Sequence, residues 1–62
     1  MNGPYSLTRE NIAYHVTRTS AGNYLLLNRR GDVRYVGRSD TNVRDRLLQH
    51  VGGRYTEFKY SY

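Results

Sequence analysis

The sequence predicts an α+β domain: a small three-stranded antiparallel sheet with one main helix packed on it, preceded by a short N-terminal segment. Three observations carry this expectation. Two short apolar runs, at residues 22–28 and 33–37, flank a glycine-bearing turn, which is the pattern of a hairpin. Between the cap-forming residues 39–41 and Gly52-Gly53, apolar side chains recur at helical spacing. Beyond that stop, residues 55–62 alternate with a period of two.

Residues 1–20 read as an N-terminal extension, with residues 1–6 expected to fray. For Leu7 to Val16 two readings stand. Ser6 could cap a short helix carrying Ile12 and Val16 four apart, whereas Tyr14, Val16 and the threonines also suit a strand; the short helix is preferred. The segment GNYLLLN at 22–28 is apolar and bounded by turn residues, so it reads as a strand buried on at least one face. Arg29-Arg30-Gly31-Asp32 makes the turn, with Gly31 available for positive φ, and VRYVG at 33–37 returns as the second strand. A four-residue loop places Tyr24 near Gly37 and Leu26 opposite Tyr35, so both tyrosines share one sheet face; a three-residue loop without a bulge splits them. A helix of about ten residues follows, capped by Ser39, Asp40 or Thr41, with Val43, Leu47, Leu48 and Val51 inside a face of ~140°. Arg46 and His50, four apart, lie on one flank of that stripe, at the rim between helix and sheet. In the last segment Thr56, Phe58, Tyr60 and Tyr62 share one side, and Tyr55, Glu57, Lys59 and Ser61 the other.

At 62 residues the chain has room for a single small domain. Seven tyrosines make up much of its 37% apolar share, so a large enclosed pocket is not expected. No apolar run is long enough to span a membrane, and no secretory signal opens the chain, which leads to the expectation of an intracellular, cytoplasmic protein without a membrane partner. The absence of cysteine excludes disulfides, thiolate zinc sites and cysteine nucleophiles. Ten basic residues against five acidic give a net charge of +5, and nine of the ten are arginine. Arginine forks bind phosphate oxygens in pairs and stack on bases, so nucleic acid is the leading partner, with DNA favoured. Its competitor is a merely basic surface.

The ordered set GNY at 22–24, YVG at 35–37 and RLLQH at 46–50 resembles the GIY-YIG endonuclease superfamily. The resemblance covers residues 21–62. It implies metal-dependent hydrolysis of DNA phosphodiester bonds, with Mg²⁺ or another divalent cation as cofactor. Carried over by position, Tyr24 and Tyr35 match the motif tyrosines that position or activate water. Arg46 matches the arginine facing the scissile phosphate, and His50 a histidine that assists proton transfer. Gly22 and Gly37 match the motif glycines, and Gly37 lets the backbone be approached closely. Arg30, Arg34, Arg38, Ser39 and Asn42 are the expected nucleic-acid contacts. Without the motif, the tyrosines would read as core aromatics with a hydroxyl at the edge, Arg46 as a solvated helix residue, and His50 as a group favouring the helix dipole. His15 reads as a surface residue.

The sequence departs from the family's pattern at Asn23, where an aliphatic is usual, and in a loop one residue longer between Gly37 and Arg46. More important, the family's metal-binding glutamate lies on a helix after the third strand, and no position here matches it. The metal ligand is therefore unknown, and the domain is expected to be incomplete at its C-terminus, to bind without cutting, or to be completed by a second copy. An unpaired third strand rich in Tyr and Phe leads to the expectation of a homo-oligomer through that edge. The alternatives to an endonuclease are a non-catalytic nucleic-acid-binding module and a self-associating interaction fragment.

Overall fold

The computed structural model describes all 62 residues. The elements in chain order are β1 (Asn2–Ser6), α1 (Arg9–His15), β2 (Gly22–Leu27), β3 (Val33–Ser39), α2 (Val43–Gln49) and β4 (Glu57–Ser61). The class is α+β, but the expected three-stranded sheet with one main helix is corrected to a four-stranded antiparallel sheet with two helices, in the order β1-β4-β2-β3. Both helices are seven residues long, and neither is long and apolar enough to cross a membrane.

The correction originates in residues 2–6, which do not fray. They form an edge strand on β4, with Tyr5 opposite Phe58 and Ser6 opposite Glu57. A shift in register between Asn2 and Tyr5 takes up Gly3 and Pro4, and an edge strand is where a proline without an N–H is tolerated. Gly3 has a φ of +112°, and a side chain there would meet the Phe58 carbonyl oxygen at 2.8 Å. Tyr5 anchors the strand, its ring stacked on His15 with centroids 3.6 Å apart. His15 is accordingly half-buried and not a surface residue.

With β1 in place, β4 pairs on both sides, to β1 and to β2. The expected exposed third strand is therefore an interior strand, and the grounds for self-association through it are removed. The open edges are β1 and β3.

The helix preferred for Leu7–Val16 forms, with Thr8 in place of Ser6 as its cap: Asn11 N–H donates to Thr8 Oγ1 at 3.1 Å. Ile12 and Val16 are fully buried. In the hairpin, Asn28 Oδ1 accepts from the backbone N–H groups of Arg30 and Asp32, and Gly31 takes φ +83°. The register is Tyr24 opposite Gly37 and Leu26 opposite Tyr35, with an irregularity between Leu26 and Leu27.

Helix α2 is shorter than the ten residues expected. Asn42 caps it, its Oδ1 accepting from Asp45 N–H at 3.0 Å, and His50 closes it before Gly52 at φ +84°. Leu7, Ile12 and Val16 join Tyr24, Leu26, Val43, Leu47, Phe58 and Tyr60 in one core, so the N-terminal segment and residues 21–62 share it and both helices lie on one sheet face. Burying each of the larger aliphatic side chains or Phe58 contributes ~1.5–3 kcal/mol.

Candidate functional site

The register of the hairpin and the rim of α2 converge on one cluster. Tyr24, from the centre of β2, is only 2% exposed, and its hydroxyl lies 3.2 Å from His50 Nε2 at the end of α2. Tyr35, from β3, stacks toward Tyr24 at 6.1 Å between centroids and lies 5.2 Å from the His50 ring. Unlike Tyr24 it faces solvent, at 41% exposure. Tyr24, Tyr35 and His50 are thus brought together as expected from the sequence.

Gly37 makes this possible. It sits directly opposite Tyr24 in the ladder, and a Cβ on it would collide with the ring and hydroxyl of Tyr24. The bare backbone is the space the phenol occupies. Gly22 is required for a different reason: a Cβ there would collide with the Ser61 carbonyl oxygen of β4, so it allows two strands to approach.

Burial raises the Tyr24 phenol above its ordinary value of 10.0, the neighbouring Tyr35 raises it further, and Arg46 pulls it the other way. At neutral pH Tyr24 therefore keeps its proton. It donates to Nε2 when that nitrogen is bare and accepts from it when Nε2 carries the proton. Arg46 is exposed, one turn before His50, and makes no ion pair: the chain's single ion pair joins Arg38 to Asp40 at 3.0 Å.

A fourth member of the cluster was not anticipated. Tyr55 lies between Gly53 and β4, with its ring 5.9 Å from Tyr35 and 6.1 Å from His50. Alternation predicts the face away from Phe58 for Tyr55, but it precedes the paired part of the strand, so strand parity does not set its direction.

The other expected contacts lie outside the cluster. Ser39 is buried, and its Oγ accepts from the N–H groups of Thr41 and Asn42, shaping the turn into α2. The Asn42 side chain is engaged in the cap. Arg30, Arg34 and Arg38 are exposed, on the hairpin turn and along β3. Gly22, Arg38 and Ser39 line a cleft of about 270 Å³ with Ala21, Asn23 and Tyr62, which does not include the cluster.

The residues present do not fit a divalent cation. No three His, Asp or Glu side chains converge anywhere in the chain. Asp40 pairs with Arg38, and Asp45 accepts from Gln49 within α2. Glu57 alternates with Phe58 and so points away from the face that carries Tyr24. Glu10 is an exposed residue of the first turn of α1. A hard cation needs several oxygen ligands, and the cluster offers phenols and one imidazole that is already hydrogen-bonded.

No family model, curated protein or solved structure matches this chain.

Proposed function

We propose that the chain is a GIY-YIG-type endonuclease domain directed at the phosphodiester backbone of DNA. The observation that carries the proposal is the contact between the Tyr24 hydroxyl and His50 Nε2, with Tyr35 stacked beside them and Arg46 one turn away. The resemblance supports it independently, since the four residues recur in the motif's order.

Arg46 holds the phosphate. Negative charge grows on the phosphoryl oxygens as water adds, and a fixed guanidinium beside them lowers the barrier by about 3 kcal/mol. Tyr35, the solvent-facing phenol, orients the water. As the water oxygen bonds to phosphorus, the P–O bond to the leaving oxygen breaks and that oxygen departs with the electron pair and takes a proton from solvent, while the water's proton moves to the Tyr24–His50 pair and comes to rest on Nε2. The carboxylate that would hold a cation is the part of this chemistry that residues 1–62 do not provide.

That same gap favours a second reading, in which the basic face grips nucleic acid without cutting and Tyr35 and Tyr55 stack on bases. A supercoiled-plasmid nicking assay at low salt separates the two. Nicking that falls about 10²–10³-fold in Arg46→Ala supports the endonuclease. Plasmid binding without product, or nicking unchanged by Arg46→Ala, rules it out.

A further inference from the structure

Beside the aromatic cluster lies a cleft of about 180 Å³ lined by Asn28, Arg34, Arg54 and Tyr55. Its chemistry is one-sided. Arg34 and Arg54 are exposed, and neither meets a carboxylate, because the only ion pair of the chain is elsewhere. The Asn28 Oδ1 is occupied by two turn amides, which leaves its side-chain NH₂ to the cleft. Three of the four lining residues therefore present N–H donors, two of them on full positive charges. Such a set repels cations and recognises a small anion with several oxygens, and guanidinium forks match phosphate best. Tyr55 connects the cleft to the cluster, since its ring also packs against Tyr35 and His50.

We propose that this cleft is a second phosphate subsite, which takes the backbone phosphate next to the one facing Arg46. One nucleic-acid strand then runs across Tyr55, from the cluster to the Arg34–Arg54 pair. The inference rests on the cluster being directed at phosphodiesters, and it holds whether or not hydrolysis follows. Tyr55 supplies a flat ring between the two phosphates, on which the intervening base can stack.

The test is fluorescence anisotropy with a labelled oligothymidylate over a range of salt. Arg34→Ala and Arg54→Ala should each weaken binding about 3–10-fold and lower the slope of log K against log[salt] by about 1. Arg9→Ala on α1 removes the same charge and should shift affinity less than about 2-fold. Binding losses for Arg34→Ala and Arg54→Ala no larger than that for Arg9→Ala overturn the subsite. The thymidine dinucleotide, which has one phosphodiester, should bind the parent and Arg54→Ala alike if it occupies Arg46; inorganic phosphate and the dinucleotide both losing affinity in Arg54→Ala would mean a site for isolated anions and not for a strand. Arg46→Ala separates this inference from its foundation. If Arg46→Ala binds as the parent does, the cluster reading fails; if it weakens binding while Arg34→Ala and Arg54→Ala do not, only the subsite fails. Neither Arg34 nor Arg54 makes a side-chain hydrogen bond or is buried, and melting monitored by circular dichroism verifies that the variants fold.

Discussion

The domain contains two tyrosine–histidine arrangements on the same face of one sheet, and only in one of them does the tyrosine hydroxyl meet the imidazole ring. On the β1 side, Tyr60 donates its hydroxyl to the His15 backbone carbonyl at 2.8 Å, and Tyr5 covers the His15 ring. On the β3 side, Tyr24 meets the His50 ring nitrogen itself. Burial raises both phenols, Tyr60 and Tyr24, above the ordinary value. The partner differs. A carbonyl oxygen can only accept a hydrogen bond, whereas an imidazole nitrogen can accept or donate one according to its tautomer. Residue type and burial are thus shared between a structural pair and a candidate reactive one, and the atom at the far end of the hydrogen bond distinguishes them.

Phe58→Ala should break both sides at once. Its ring packs against Tyr5 and Tyr60 and is fully buried in the shared core. Truncation costs about 3–5 kcal/mol, enough to unfold most of a domain this small, and urea unfolding followed by circular dichroism measures it. Gly37→Ala should break the His50 side alone. The new methyl group displaces the Tyr24 ring, at about 1–3 kcal/mol, and nuclear magnetic resonance should show shifted His50 signals while those of His15 stay in place.

Two hydroxyl deletions sharpen the contrast. Tyr24→Phe and Tyr60→Phe should each lose about 1 kcal/mol of stability, since each gives up one hydrogen bond. Only Tyr24→Phe should change nicking; equal effects from both variants would remove the distinction. The smallest effect is on the alkaline limb of stability. A phenol whose folded value lies above its unfolded one contributes stability that is intact below about pH 10 and is lost as pH rises through the folded value. Melting temperature should therefore fall as pH rises above 10, less steeply in either Phe variant than in the parent.

The hairpin, its register, α2 and the alternation of β4 were legible because each carries a local signal: turn residues, cap residues, or a run long enough to show its period. The convergence of Tyr24, Tyr35 and His50 was legible for the same reason, since loop length sets strand parity and helical spacing sets the rim. β1 was not legible. Five residues containing Gly3 and Pro4 carry no period, and their pairing is decided by β4, more than fifty residues away. Two further differences follow from β1, because β4 without it looks like an open edge and His15 without Tyr5 looks like a solvated side chain. Tyr55 was misplaced for a smaller reason, the loss of parity where a strand has not yet begun. Ser39 and Asn42, expected as nucleic-acid contacts, also have a structural role, since their oxygens accept from amides of their own turn.

The pairing of the first strand with the last also bears on how the domain assembles during synthesis. Asn2 finds its partner in Tyr60, and β4 must enter between β1 and β2 before either can be part of a common sheet. Until residues 57–61 have left the ribosome, the emerging chain holds one hairpin, two helices too short to persist alone, and an unpaired leading strand. The common sheet is completed only when β4 reaches both β1 and β2, and contacts that distant in sequence slow folding relative to the local elements.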